Sequence, residues 1–203
     1  MAEDSEVHLE DRDAALLAEA RNAPAGDLRA FEQLVHQYQK RILADCRYMT
    51  RDDGISEDLA QEVFVKAYFG LHRFEGRSTF RHWLQRIKVH HCLNYLKKAA
   101  GKTGVTIDEG SAEEHGELQV PATADRNLEA LSERQRIAAV LDGMPATLRI
   151  PLIMRDMDEF SYEEVASALK IGLSAAKMRI KRAREEFRRR YQAQQAMTAG
   201  GPL

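Results

Sequence analysis

The stretch SYEEVASALKIGLSAAKMRIKRAREEFRRRY, Ser161 to Tyr191, decides the fold. Ser161 followed by Glu164 has the spacing of a capping box, in which each side chain satisfies an early backbone N–H of the helix. That helix is expected to run from Tyr162 to Leu169 and to end in the turn Lys170-Ile171-Gly172-Leu173, with Ser174 capping the next one. A short helix, a turn of four residues and a longer basic helix make a helix-turn-helix. On the second helix Ala176, Ile180, Ala183, Phe187 and Tyr191 recur at helical spacing and form the core stripe. At 100° per residue, Ser174, Ala175, Met178, Arg182 and Arg189 face away from it. Lys177, Arg179 and Lys181 flank them. Small residues at its start let such a helix enter a major groove closely, where cations reach base edges and phosphates.

The net charge of the 203 residues is −2, but the charge is segregated. From Leu71 to Lys98 seven Lys and Arg face one acid, Glu75; from Ser174 to Arg190 eight face two. The segment from Gly101 to Ala130 carries seven acids and two basic residues. Two basic segments around an acidic connector predict two contacts on one polyanion, whereas merely solvated helix faces would intersperse the signs.

The periodicity is helical nearly throughout, with no alternating stretch that would make a strand. Helices are expected from Asp13 to Arg21 and from an Asp27 cap, with Phe31, Leu34, Val35, Tyr38, Ile42 and Leu43 on the apolar face. Others run from Ser56 to about Leu71, Thr79 to Ala99, Leu131 to Gly143 and Pro145 to Met157. The fold class is all-α: two small helical domains joined by a flexible acidic linker, the second a helix-turn-helix. The expected division is 1–10 as a disordered acidic tail, 11–100 as the first domain, 101–130 as linker, 131–192 as the second domain and 193–203 as a disordered tail.

On the helix from Ser56, Ala60, Val63, Phe64, Ala67 and Leu71 form the core side. The opposite side carries Asp58, Gln61, Glu62, Val65 and Phe69. Acids beside two apolar residues suit a docking site for a basic, partly apolar protein partner; scattered surface apolar residues are the competing reading. Just beyond it, HRFEGRSTFRHW (His72 to Trp83) gathers three aromatic rings around the polar loop Gly76-Arg77-Ser78-Thr79, although the whole chain is only 7% aromatic. Such a mixture suits a surface that grips something flat and negatively charged. Phe80 and Trp83 are read as holding the loop against the domain, with base stacking as the alternative.

The segments FEQLVHQYQKRI (31–42), SEDLAQEVFVKAYFGLHRFEGRSTFRHWLQRI (56–87) and NYLKK (94–98), followed by SYEEVASALKIGLSAAKMRIKRARE (161–185), strongly resemble extracytoplasmic-function sigma factors of the sigma-70 family. The resemblance covers about residues 11–100 (region 2) and 131–190 (region 4), in the expected order. It implies a promoter-specificity subunit that binds core RNA polymerase and directs transcription initiation. Asp58, Gln61, Glu62, Val65 and Phe69 match the region that binds the β′ clamp helices. The loop Phe74, Gly76, Arg77, Ser78, Thr79 matches the segment that captures a flipped-out base of the −10 element. Downstream, Arg81, Arg86, Lys88, Lys97 and Lys98 would bind phosphate, while His90 and Asn94 would reach bases. Ser174, Lys177, Met178, Arg179, Lys181 and Arg182 match positions that read the −35 element. The linker would follow the path of template strand and RNA through polymerase, which also contacts its β subunit. An anti-sigma factor is the further partner implied, and the protein would act as a monomer within the holoenzyme in a stress response.

Three positions depart from the family pattern: Lys170 where glycine is usual, Gly172 where proline is frequent, and His90 where asparagine is usual. Ala175 and Met178 also replace small polar residues, so the −35 preference is this chain's own. A non-glycine residue held in left-handed geometry at the turn would cost about 1 kcal/mol. No cofactor is expected. His90, His91 and Cys92 are adjacent on one helix and point about 100° apart, so no metal site is expected there either. The two cysteines, Cys46 and Cys92, have no pair spacing and read as reduced thiols. The acidic N-terminus lacks the order of a signal peptide and no apolar run is long enough to span a bilayer, so a cytoplasmic protein without membrane insertion is expected. No phosphate loop, paired-carboxylate site or nucleophile setting stands out, which argues against an enzyme. Two other classes compete. A sigma-like decoy for an anti-sigma protein would not need the basic recognition helix. A stand-alone helix-turn-helix repressor would leave the loop and the Asp58 face unexplained.

Overall fold

The computed structural model describes residues 2–103 and 133–199. These form eight α-helices and, among the described residues, no strand. The helices are α1 (Ala2–Asn22), α2 (Arg29–Thr50), α3 (Asp53–Gly70), α4 (Phe80–Thr103), α5 (Glu133–Gly143), α6 (Ala146–Leu152), α7 (Tyr162–Leu169) and α8 (Leu173–Ala199). A short 3₁₀ turn, Leu71–Arg73, leads from α3 into the loop before α4. Among the described residues no helix is long and apolar enough to cross a membrane. The described residues form two compact units, one of those up to Arg47 with Asp53–Leu93 and the other of Tyr48–Asp52 with those from Asn94 onward.

The ends of several elements differ from the sequence expectation. α1 begins at Ala2 instead of Asp13, so residues expected as a disordered tail continue the helix. α8 continues to Ala199, through most of the tail expected from residue 193. The expected acidic linker, 101–130, lies outside the described residues beyond Thr103. The single helix expected from Pro145 to Met157 is divided. Pro151 sits inside α6, where its ring nitrogen cannot donate to the helix ladder, and the chain widens into a π-turn over Ile153–Met157.

In the first unit Leu34, Ile42, Cys46, Val63, Ala67, Leu84 and Cys92 are fully or almost fully buried. The two cysteine sulfurs lie 3.8 Å apart as free thiols. The second unit is built on α8, against which α5, α6 and α7 all pack. Ala176, Ile180 and Ala183 are completely buried, while Phe187 and Tyr191 are half-buried and stack at 6.0 Å. Tyr191 also donates to Glu133 on α5 at 2.6 Å.

The helix-turn-helix forms as its sequence indicates. Glu164 N–H donates to Ser161 Oγ at 3.1 Å and Ser161 N–H to the Glu164 carboxylate at 2.9 Å, which is the complete capping box. At the other end of α7, Ile171 N–H returns to Ala166 O and Lys170 N–H to Ser167 O, the two bonds of a Schellman motif. That motif needs one left-handed residue, and Lys170 supplies it at φ 56° and ψ 41°. Gly172 does not take over the strained position. Its carbonyl instead accepts from Ala176 N–H at 3.0 Å, so α8 starts at Leu173 and Ser174 lies inside the first turn, not at the cap. Glycine removes the Cβ clash that costs an L-residue about 1 kcal/mol or more in this geometry. Lys170→Gly is therefore expected to raise the urea midpoint of the second unit by an equivalent of about 1 kcal/mol. An unchanged or lowered midpoint would show that the position is not strained.

Candidate interfaces for protein and nucleic acid

α3 divides into two faces because its apolar residues recur at helical spacing. Ser56, Leu59, Ala60, Val63 and Ala67 are buried. Asp58, Gln61 and Glu62 are exposed on the other face, with Val65 at 54% and Phe69 at 75% exposure. Leaving Phe69 largely in water has no folding benefit, so this patch is available for a partner. Tyr68, which helical spacing alone does not single out, extends it: its ring meets Phe69 edge-on at 5.5 Å and Phe31 at 5.2 Å. His91 Nδ1 lies 3.2 Å from Glu62 Oε2 and steadies that carboxylate. Burial and the nearby Lys66 cation hold the His91 pKa below its ordinary value, against the pull of Glu62.

The aromatic cluster after α3 is a support for the loop. Phe74 is only 7% exposed, with ring centroids 5.0 Å from Trp83 and 6.1 Å from Phe80. Its ring belongs to the cluster that supports the loop, and Phe74 also lines the cavity between that loop and α1. Phe80 is buried and Trp83 half-buried, in keeping with a holding role for those two rings. Gly76 has φ +71°, which favours glycine, and the space around it is open. Arg77 is exposed and pairs with Glu75 at 2.5 Å. Thr79 Oγ1 accepts from His82 N–H at 3.2 Å, capping α4.

The part α1 plays here was not expected from the sequence. Arg21 donates to two loop-side carbonyls, Leu71 O at 3.3 Å and Phe74 O, and its guanidinium lies 5.5 Å over the Phe74 ring. Asp13 is nearly buried and accepts from Gln37 Nε2 at 2.7 Å and from the Tyr38 hydroxyl. Burial raises its carboxyl above the ordinary range, more than those two donors lower it. The signal was present: Asp13, Leu17 and Arg21 are spaced by four, so two charged residues lie on the stripe that also buries Leu17.

Along α4, Arg86, His90, Asn94 and Lys98 recur every four residues and are all exposed, with Arg81 and Lys97 half-buried. Lys88 is the exception and a correction. It is 0% exposed, and its Nζ lies 3.1 Å from Asp45 Oδ2 on α2, which also accepts from Gln85 Nε2 at 3.2 Å. An ammonium committed inside the core cannot neutralise a phosphate.

On α8, Ser174, Lys177, Met178, Lys181 and Arg182 are exposed and Arg179 is half-buried. The cations of this helix fall into two groups. Arg184 forms a bidentate pair with Asp156 at 2.8 and 2.5 Å, and Arg189 and Arg190 both hold Glu186, whose pKa is pulled down to about 2. Nearer the N-terminus, Lys177 only leans over the Tyr162 ring at 5.8 Å. Among the described residues, Arg179, Lys181 and Arg182 make no ion pair. The half of α8 that would enter a groove keeps its charges uncommitted. No cluster of His, Cys, Asp and Glu that could hold a metal occurs among the described residues.

Two family models match this chain: Sigma-70 region 2 over residues 34–102 and Sigma-70, region 4 over residues 134–187. The ECF RNA polymerase sigma-E factor of Escherichia coli K12 is 31% identical over 172 residues, which are 82% of this chain and 89% of that protein. The RNA polymerase sigma-H factor of Pseudomonas aeruginosa is 31% identical over 164 residues, 79% of this chain and 85% of that protein. Among solved structures, CnrH in complex with the cytosolic domain of CnrY shares the fold with a TM-score of 0.54 and 23% identity, covering 90% of this chain and 98% of that one. RpoE of Bartonella quintana, solved with the anti-sigma factor NepR, matches at 0.55 and 21%, covering 80% and 96%.

Removing Lys88 leaves the buried Asp45 carboxylate with no cation among the described residues nearer than the half-exposed Arg41, whose Nε lies 4.0 Å away. Lys88→Ala is expected to cost about 3–5 kcal/mol in urea unfolding. Arg86→Ala, two residues away on the exposed face, should stay within about 0.5 kcal/mol. Equal effects from the two substitutions would contradict the assignment of Lys88 to the core.

Proposed function

Because this chain belongs to the extracytoplasmic-function sigma factors of the sigma-70 family, we propose that it binds core RNA polymerase and brings it to a specific class of promoters. Region 2, over about residues 11–100, would dock on polymerase and melt the −10 element. Region 4, over about 131–192, would read the −35 element. The protein would perform no catalysis of its own and would work in the cytoplasm, one copy per holoenzyme.

The observation that carries this reading is the way the exposed residues are committed. Val65 and Phe69 stand in water beside Asp58, Gln61 and Glu62, a surface suited to the clamp helices of the β′ subunit. On α8, Lys177, Arg179, Lys181 and Arg182 are left for phosphates and base edges, and Met178, 48% exposed, offers an apolar contact to a thymine methyl. On α4, Arg86, Lys97 and Lys98 would follow the backbone upstream of the melted bases, with His90 and Asn94 toward the base edges. The loop from Gly76 to Thr79, held by Phe74, Phe80 and Trp83, would receive the extruded base. Extrusion costs a few kcal/mol per base in lost stacking, and a fitted pocket returns part of it.

A decoy would need no uncommitted cations on α8, and a lone repressor no exposed acidic and apolar face on α3. An anti-sigma factor is the further partner proposed for this chain; RpoE of Bartonella quintana was solved in complex with the anti-sigma factor NepR.

Gel filtration with core RNA polymerase tests the docking face. The wild type is expected to co-elute and an Asp58→Lys/Glu62→Lys double variant to elute separately with unchanged helicity. Co-elution of both would remove the face from the account. For region 4, a Lys181→Ala/Arg182→Ala variant should bind −35 duplex more weakly and with a shallower salt dependence, by about one in the logarithmic slope for each phosphate no longer neutralised. Unchanged salt dependence would exclude phosphate binding by these two side chains.

A further inference from the structure

Between α1 and the loop lies a cavity of about 480 Å³, lined among others by Asp13, Leu17, Arg21, Gly76, Ser78 and Thr79. That is within the range of small-ligand sites and roomy enough for one nucleobase. Its apolar wall suits a base face, and its polar groups are few and of fixed character. In its carboxylate form Asp13 only accepts. Oδ1 takes one donor from Gln37 and Oδ2 one from Tyr38, which leaves each carboxylate oxygen a second acceptor position. Entry of a donor would therefore meet unused acceptor capacity. Thr79 has the opposite character: its oxygen already accepts from His82 N–H, so its hydroxyl hydrogen is left to donate.

An acceptor and a donor lining one small cavity select among bases. Cytosine and adenine place an exocyclic amino group beside an unprotonated ring nitrogen, which is a donor next to an acceptor. Thymine and guanine carry a carbonyl and a ring N–H there, the same two characters exchanged between exocyclic group and ring, so a pose with the exocyclic group on the Asp13 side would set their oxygen against the carboxylate. We propose that Asp13 is a specificity-determining residue of the base-capture loop, accepting from the amino group of an extruded cytosine or adenine, with Thr79 donating to the ring nitrogen. Arg21 is the positioning residue, since it fixes the carbonyls of Leu71 and Phe74 on which the loop hangs. This rests on the reading of the loop as a −10 base-capture segment.

The test uses the chain bound to core RNA polymerase and a randomised pool of single-stranded DNA 12-mers. In the best-selected sequence each cytosine is replaced in turn by 2-pyrimidinone and each adenine by purine, which delete only the amino group. One position is expected at which that deletion weakens wild-type binding about tenfold, the scale of a good base-edge contact. With Asp13→Ala, which removes the acceptor, the loss at that position should shrink to less than about threefold, while the other positions stay unchanged. The base-analogue series is run on the wild type, so it decides even where the variant folds poorly. Sequence selection without any amino-group dependence, or an undiminished loss in Asp13→Ala, overturns the role of Asp13 and leaves base capture standing. Absence of any single-strand selection by the holoenzyme overturns both.

Discussion

The buried pair of Lys88 and Asp45 sets the terms for the first unit. Two charges 3.1 Å apart inside a helical core are tolerable only if they stay together, because either alone carries a desolvation cost of several kcal/mol. Gln85 occupies a further position on the same carboxylate oxygen. These contacts fix the rotation of α4 against α2. With Lys88 turned inward, Leu84 and Cys92, four residues to either side, are inward as well. Arg86, His90, Asn94 and Lys98 are then outward. One ion pair in the core thus decides which face of α4 is offered to a polyanion.

The loop before α4 is held from two directions. Phe74, Phe80 and Trp83 support it from beneath, and Arg21 from α1 fastens its approach by two carbonyls. A segment that receives a base extruded at a cost of a few kcal/mol per step must not spend that return on ordering itself. Charges are managed in the same way on α8. Arg184, Arg189 and Arg190 are paired with Asp156 and Glu186, whereas Arg179 and Arg182, nearer the start of the helix, make no ion pair among the described residues. Internal pairing for structure and unpaired charge for binding occupy different turns of one helix.

Local chemistry makes much of this legible from the residues. The capping box at Ser161 and Glu164, the buried stripe of Ala176, Ile180 and Ala183, and the exposed side of α3 each depend on spacing within one helix. What escapes such a reading depends on contacts between helices. Charge alone marks Lys88 as a phosphate-binding cation, although its place between Leu84 and Cys92 puts it on the apolar stripe. Asp45 stands in the same position on α2, one turn after Ile42, so two opposite charges on two apolar stripes are the available clue. Phe74 groups by sequence with the polar loop it precedes, but an aromatic residue bracketed by Leu71 and Phe80 is more readily core. Helix ends are the least legible: acidic and polar compositions at both termini conceal helices continuing to Ala2 and Ala199. At the turn, the Schellman bonds require the left-handed residue at Lys170, so Gly172 could not relieve it.

The central claim is that polymerase acquires promoter choice from this chain. Core RNA polymerase with and without the protein, transcribing a library of random upstream sequences, measures that directly through the mapped 5′ ends. The account predicts start sites that appear only when the protein is added and that share two sequence elements, one near −10 and one near −35. Transcript ends unchanged by the protein, in a mixture where it is bound to polymerase, would contradict the account.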